Sequence, residues 1–251
     1  MPKRYSNRNI RLFVDCDLLS DINILLQAQQ SHYLLNVMRC RSGDSISVFN
    51  GRDGEWNANI KIEAKNTVWL NLIDKKLNQT PVQPLALVFA PVRRVMPSFI
   101  VEKATEMGVS EIYPVLTARS VVRKLSIDKM IKTSIEAAEQ SESVLLPVIH
   151  PMMDLAIFFQ HHSPKYDGII FFSERSEARS IKDVLLNLPK LYKNNAILIG
   201  PEGGFTSEEK VYIESFPGVI PTTFGVHIMR SETAIIAGIA IYQSLLERWN
   251  A

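Results

Sequence analysis

Four consecutive apolar residues, Ala196, Ile197, Leu198 and Ile199, run directly into the glycine-rich segment GPEGGFTSEE at residues 200–209. So short and unbroken an apolar run is the pattern of a strand buried on both faces, in a sheet covered by helices on each side. Gly200 and Pro201 end the strand. Thr206 and Glu209 then have capping-box spacing, and Glu208 also lies in the first turn of the ensuing helix, where the helix dipole favours negative charge. Lacking side chains at Gly200, Gly203 and Gly204, the turn is either a tight connection or a place where a ligand reaches the backbone. It carries neither the lysine of a GxxxxGK[ST] loop nor a GxGxxG turn, which excludes the usual nucleotide-binding loops. Glu202 disfavours a polyphosphate and better suits a cation or a sugar hydroxyl.

A second segment, FGVHIMRSETA at residues 224–234, has the same design. Gly225 interrupts an apolar stretch, and Arg230, Ser231, Glu232 and Thr233 crowd polar groups ahead of a helical run over residues 234–249. Ser231 or Thr233 can cap that helix, and Ile235, Ile236, Ile239, Ala240, Leu245 and Leu246 give it a broad apolar face. Arg230 is either a solvated surface cation or part of a site. Two turn-and-cap segments in one domain favour a shared pocket.

Organisation along the 251 residues points to two domains. Between residues 10 and 77, β-type runs at 46–49, 56–62 and 67–73 are separated by turn signals, as in a small β barrel with one helix near residues 32–39. Residues 78–84, polar with two prolines, read as a linker. Beyond them, strand patterns at 85–90, 111–116, 168–172, 196–199 and 220–223 alternate with helical patterns at 98–107, 127–141, from 207 and at the end, and an apolar run spans 181–188. This is the order of an α/β domain with a mainly parallel sheet. No apolar run approaches the roughly 18 residues of a membrane span. Cys16 and Cys40 are too few for a disulfide framework and lack metal-ligand spacing, so no metal is expected. The basic start of the chain has no apolar signal region, which fits the cytoplasm. The formal net charge is only +2, yet Lys3, Arg4, Arg8, Arg11, Arg39 and Arg41 form one basic group, and Arg93, Arg94, Arg119, Arg123 and Lys124 a second. Such clustering suits either phosphate contacts or a solvated surface.

GPEGGFTSEE and FGVHIMRSETA, preceded by FIVEKATEMGVSEIYPVLTARSVV (residues 99–122) and IEAAEQSE (135–142), resemble the RsmE family in the family's own order. RLFVD (11–15) and HYLLNVMRCRSGDSISVFNGRDGEW (32–56) extend the likeness over nearly the whole chain. Members are S-adenosylmethionine-dependent methyltransferases of the SPOUT superfamily that modify N3 of a uridine in small-subunit (16S) ribosomal RNA. The resemblance implies a PUA-like RNA-binding β barrel over residues 1–77. It implies a SPOUT domain over 78–251, with helices on both faces of a trefoil-knotted, mainly parallel sheet, acting as a homodimer. The knot loops fall at 171–174, 199–204 and 223–230. Cofactor binding is assigned to Phe172, Ser173, Ile199, Gly200, Glu202, Gly203, Gly204, Phe224, Gly225, Ile228, Met229 and Thr233. Arg230 and Glu232 carry the catalytic assignment, and Arg8, Arg11, Arg39 and Arg41 the RNA contacts. Glu142 and Ser143 stand where the family usually has Gly-Arg, His227 where an arginine is frequent, and residues 91–94 replace a lysine-glycine loop. A SPOUT enzyme with another RNA target and a non-catalytic RNA-binding assembly protein are the competing readings.

Overall fold

The architecture is that of a computed structural model that describes residues 10–64, 67–80, 84–93, 95–173, 178–189, 192–225 and 227–245. Arg8, Arg94, Glu174 and residues 81–83 of the expected linker lie outside the described residues. The chain forms two compact units, Met1–Pro81 with Ala138–Leu145, and Val82–Ala137 with Leu146–Ala251.

In the first unit, β1 (Arg11–Phe13), β2 (Asn23–Leu25), β3 (Ser45–Phe49), β4 (Glu55–Ala64) and β5 (Thr67–Leu77) form one sheet in the order β1-β3-β4-β5-β2. Alternation decides which side chains are inside: Trp56, Ala58 and Ile60 of β4 and Val68, Leu70 and Leu72 of β5 are buried, while Asn59 and Lys61 between them are exposed. The same core takes Leu12 and Val14 from one end of the strand order and Ile24 and Leu26 from the other, so the sheet curls round a single interior as a small barrel does. Irregular register between β4 and β5 assists that bend. The helix here, α1 (Ala28–His32), begins four residues earlier than the pattern predicts and continues as a π-helical segment over Tyr33–Val37. Its start is held by the Gln27 N–H donating to Gln30 Oε1 at 3.3 Å, and glutamine is not a residue that marks a helix start in sequence.

Arg11 does not have the surface place expected of an RNA contact. It is 4% exposed, its Nε donates to Glu55 Oε2 at 2.8 Å, and its terminal nitrogens donate to the carbonyls of Ala138 at 2.6 Å and Ser143 at 3.0 Å. A guanidinium turned inward on these acceptors is not available to a phosphate, and its role is to tie residues 138–145 into the first unit. Burial alone would raise the Glu55 carboxyl, but Lys76 and Arg11 reverse this and hold it below the usual carboxylate range. Arg11→Met leaves a buried carboxylate with only one cation, and the expected loss is about 3–5 kcal/mol of unfolding free energy in a urea titration. A loss under about 1 kcal/mol, the scale of an exposed pair, would show that the contact is not needed.

The second unit is a parallel sheet built from β6 (Leu85–Phe89), β7 (Glu111–Leu116), β8 (Val148–Ile149), β9 (Met153–Asp154), β10 (Gly168–Phe172), β11 (Arg179–Ser180), β12 (Asn195–Ile199) and β13 (Val219–Thr223). The order is β11-β13-β10-β12-β6-β7-β8, with β9 also on β7, and these pairings are parallel. Its helices are α2 (Pro97–Glu106), α3 (Ile127–Ser141), α4 (Leu155–Ile157), α5 (Ile181–Leu186), α6 (Ser207–Glu214) and α7 (Ser231–Leu245). Side chains alternate between two cores. Leu85, Leu87, Phe89, Ile170, Ile197 and Ile199 pack with residues of α2, α5 and α7, while Ala86, Val88, Ile169, Phe171, Ala196 and Leu198 pack with the helical segment after β9 and with α6. The sheet is thus covered on both faces, as the apolar run at 196–199 requires. The apolar run at 181–188 becomes α5, started by Ser180, whose Oγ accepts from the Asp183 N–H at 3.2 Å.

At the start of β7, Glu111 accepts hydrogen bonds from Tyr113 at 2.6 Å and from Lys165, and lies 2.9 Å from His150 Nε2. Burial alone would raise this carboxyl, but the bonds from Lys165, Tyr113 and His150 bring it down to about 2. A folded-state value below the unfolded one adds stability that is complete above the unfolded value of about 4.5 and is lost as pH falls toward 2. Glu111→Gln should flatten that acid limb of thermal stability, and an unchanged limb would remove Glu111 as its source.

Candidate active site

Parallel register sets the ends of three adjoining strands level with one another: Phe172 of β10 pairs with Ile199 of β12 on one side and Thr222 of β13 on the other. The Ser173 N–H extends the second pairing by donating to the Thr222 carbonyl at 3.1 Å. The loops that leave these carboxyl ends surround a cavity of about 630 Å³, in the size range of small-molecule sites and at the end of a parallel sheet where ligands bind.

Of the residues expected to hold a cofactor, Phe172, Ser173, Ile199, Gly200, Gly203, Gly204, Phe224, Gly225, Ile228 and Met229 line this cavity. Phe172 and Phe224 stack with centroids 4.3 Å apart and planes at 17°, forming an aromatic wall. Ile228, 59% exposed, presents an apolar side chain at the cavity. Gly200 is required by a close approach, because a Cβ there would lie 2.7 Å from the ring of Phe205. Phe205 is itself buried and packs edge-on against Phe171 at 5.2 Å.

Glu202 and Thr233 do not line the cavity; Glu202 is exposed in the turn, and Thr233 is exposed on α7. The described lining carries Arg119, Lys210 and His227 and no carboxylate. Its charge is therefore the reverse of what Glu202 suggests, and the expected preference for a cation has no support in the wall. Arg119 escapes a reading of local pattern because the turn after β7 brings it to the loop, while Phe205 belongs to the glycine-rich segment and Lys210 to the helix that follows it. Arg230 and Glu232 also lie outside the lining. Arg230 is exposed, and Glu232 is partly buried, with Oε2 shut off from solvent and without a hydrogen-bond partner among the described residues.

Both helix starts beside the cavity are fixed by side chains. At α6 the Glu209 N–H donates to Thr206 Oγ1 at 3.2 Å and the Thr206 N–H to Glu209 Oε2 at 2.9 Å, the capping box that the spacing predicts. At α7 the helix begins at Ser231, earlier than residue 234, and neither Ser231 nor Thr233 acts as an N-cap. The Ser231 hydroxyl instead donates to the Gly200 carbonyl at 2.9 Å, binding the helix start to the end of β12. In the first unit, Arg39 and Arg41 are exposed. Among the described residues there is no group of three or more His, Cys, Asp or Glu side chains that could hold a metal, and no helix is long and apolar enough to cross a membrane.

A parallel sheet with helices on both faces and a cavity over three adjoining strand ends, in a chain that also has a small β-barrel unit, defines a ligand-binding α/β protein with an amino-terminal β barrel. Residues 78–243 match the model of an RNA methyltransferase domain and residues 26–73 that of an RNA methyltransferase PUA domain. Ribosomal RNA small subunit methyltransferase E of Rickettsia conorii is 29% identical, with 92% of this chain and 93% of that protein covered. The protein of the same description from Mesomycoplasma hyopneumoniae is 32% identical over 66% of this chain and 72% of its own length. The crystal structure of ribosomal RNA small subunit methyltransferase E from Neisseria gonorrhoeae bound to S-adenosyl methionine superposes with a TM-score of 0.84 at 23% identity, covering 95% of this chain and 98% of that one. The chain belongs to the RNA methyltransferase domain family and, within it, to the small-subunit methyltransferase E, or RsmE, family.

Introducing a Cβ at residue 200 must displace the Phe205 ring or the turn, so Gly200→Ala should cost about 1–3 kcal/mol of stability. Thermal unfolding checks this, and an unchanged midpoint would mean that the ring yields freely.

Proposed function

We propose that this protein methylates N3 of a uridine in small-subunit ribosomal RNA, using S-adenosylmethionine, in the cytoplasm and as a homodimer. The observation that carries the reading is the cavity over the ends of β10, β12 and β13, in a chain of the RsmE family. Its volume, its aromatic pair and its glycine-exposed backbone fit a nucleoside bearing an amino-acid tail. Backbone groups near Ile199, Gly200, Ile228 and Met229 would hold the adenine and methionine parts, with Phe224 and Ile228 as apolar walls. Bound there, S-adenosylmethionine supplies an electrophilic methyl group.

N3 of uridine carries a proton near neutral pH. Attack at the methyl group needs that proton removed and the charge left on the ring balanced. Arg230 remains charged at working pH and is exposed beside the cavity loop, so it can donate to a uracil oxygen and stabilise the developing anion. Glu232 is the proposed proton acceptor, directly or through a water, and its unpartnered Oε2 supports that choice over Glu202 in the exposed turn. The barrel unit would contribute Arg39 and Arg41 to RNA phosphates. Holding the uridine and the cofactor together at this cavity would supply much of the remaining rate through proximity.

The test is methyl transfer from labelled S-adenosylmethionine to small ribosomal subunits lacking the modification, with naked RNA in parallel, followed by nucleoside analysis. N3-methyluridine from the subunits supports the reading, and cofactor binding without transfer to either substrate would redirect it to another RNA. Arg230→Ala should lower kcat by roughly a hundredfold or more, the scale of a lost oxyanion donor, while cofactor affinity is retained. Near-normal turnover would remove Arg230 from the mechanism.

A further inference from the structure

Immediately after β7 the chain makes a buried turn. The Thr117 N–H donates to Ser120 Oγ at 2.9 Å, and the Ser120 N–H returns to the Thr117 carbonyl at 3.0 Å. Thr117 and Ser120 are buried, whereas Ala118 and Arg119 between them are exposed and meet the glycine-rich loop. Two hydrogen bonds join the segments. The Ala118 N–H donates to Glu209 Oε1 at 2.7 Å, and Arg119 Nη1 donates to the Gly203 carbonyl. The stem of Arg119 also lies along Gly203, where a Cβ would come 3.3 Å from Arg119 Cδ and 3.6 Å from its Cβ. The missing side chain at residue 203 therefore makes room for the arginine.

The ends of the loop are anchored, Gly200 by the Ser231 hydroxyl and Phe205 by burial, and Arg119 secures the stretch between them. Gly200, Gly203 and Gly204 give it wide conformational freedom, and its own turn is closed by the Gly204 N–H donating to the Pro201 carbonyl at 2.8 Å. Gly203 is exposed, so without Arg119 its carbonyl would face water. We propose that Arg119 is a positioning residue for the cofactor, a clasp that holds the glycine-rich loop in its cavity-forming conformation from outside the loop. The inference rests on the proposed reaction only for the identity of the ligand.

Full-length wild type, Arg119→Ala and Arg119→Lys decide the matter with two readouts. Backbone order parameters of Gly203 and Gly204, measured without ligand, should fall from about 0.85 in the wild type to below about 0.6 in Arg119→Ala. The melting temperature should stay within about 2 °C, because the arginine is exposed. Calorimetric titrations use S-adenosylmethionine and 5′-methylthioadenosine, which lacks the amino-acid carboxylate. Arg119→Ala should weaken both by about tenfold, and Arg119→Lys, which keeps a long stem and a cation, should recover most of the loss. Unchanged order parameters would overturn the clasp. So would a loss confined to S-adenosylmethionine, which would make the arginine a direct carboxylate contact. If the wild type binds neither ligand, the proposed reaction fails, while the order parameters still decide whether Arg119 holds the loop.

Discussion

The parallel hydrogen bonding of β10 to both β12 and β13 is the constraint on which the rest of the second unit depends. It brings three strand ends level, so that three loops from distant parts of the chain open onto one space. A shift of one residue in β12 would exchange its two faces, sending Ile197 and Ile199 toward the α6 side and Ala196 and Leu198 toward α7. Both cores would then be mispacked. Because the apolar residues on both faces are fully buried, the same packing that stabilises the sheet also fixes where the cavity opens.

Three arginines show that charge alone does not define a role. Arg11 is enclosed with Glu55 and backbone carbonyls and organises the barrel unit. Arg119 spans from a buried turn to a loop carbonyl. Arg230 is exposed ahead of α7. Each occupies a basic or polar cluster in the sequence, and only the surrounding acceptors separate them. An arginine bonded to fixed acceptors is structural whether buried, as Arg11 is, or exposed, as Arg119 is.

Most of the layered architecture was legible in the sequence, because the unbroken apolar runs at 85–90, 168–172 and 196–199 and the capping box at residues 206 and 209 are local signals. The two-residue strands β8, β9 and β11 give no periodicity and exist through tertiary pairing. The cavity walls contributed by glycines, apolar residues and the two phenylalanines followed from the loops that the family resemblance marks. Glu202 and Thr233 fell outside because proximity in sequence does not fix the direction in which a turn or helix points its side chains. Arg119 and Lys210 were missed as cavity residues for the complementary reason, since they reach the cavity from neighbouring elements. The departure at Ser143 is harmless in its contact with Arg11, because the acceptor there is a backbone carbonyl, which any residue supplies. His227, the other departure, lines the cavity.

The assignment of residues 138–145 to the barrel unit gives the chain a stitched character. The polypeptide leaves the first unit, builds part of the second, returns to complete the first, and goes back to finish the second. A fragment ending near residue 80 would contain Arg11 and Glu55 but not the carbonyls of Ala138 and Ser143 that Arg11 uses, leaving a buried guanidinium short of acceptors. The two units are therefore not exchangeable modules joined by a tether. Any ancestral shuffling, or any engineered swap of the barrel, must carry the end of α3 along with it.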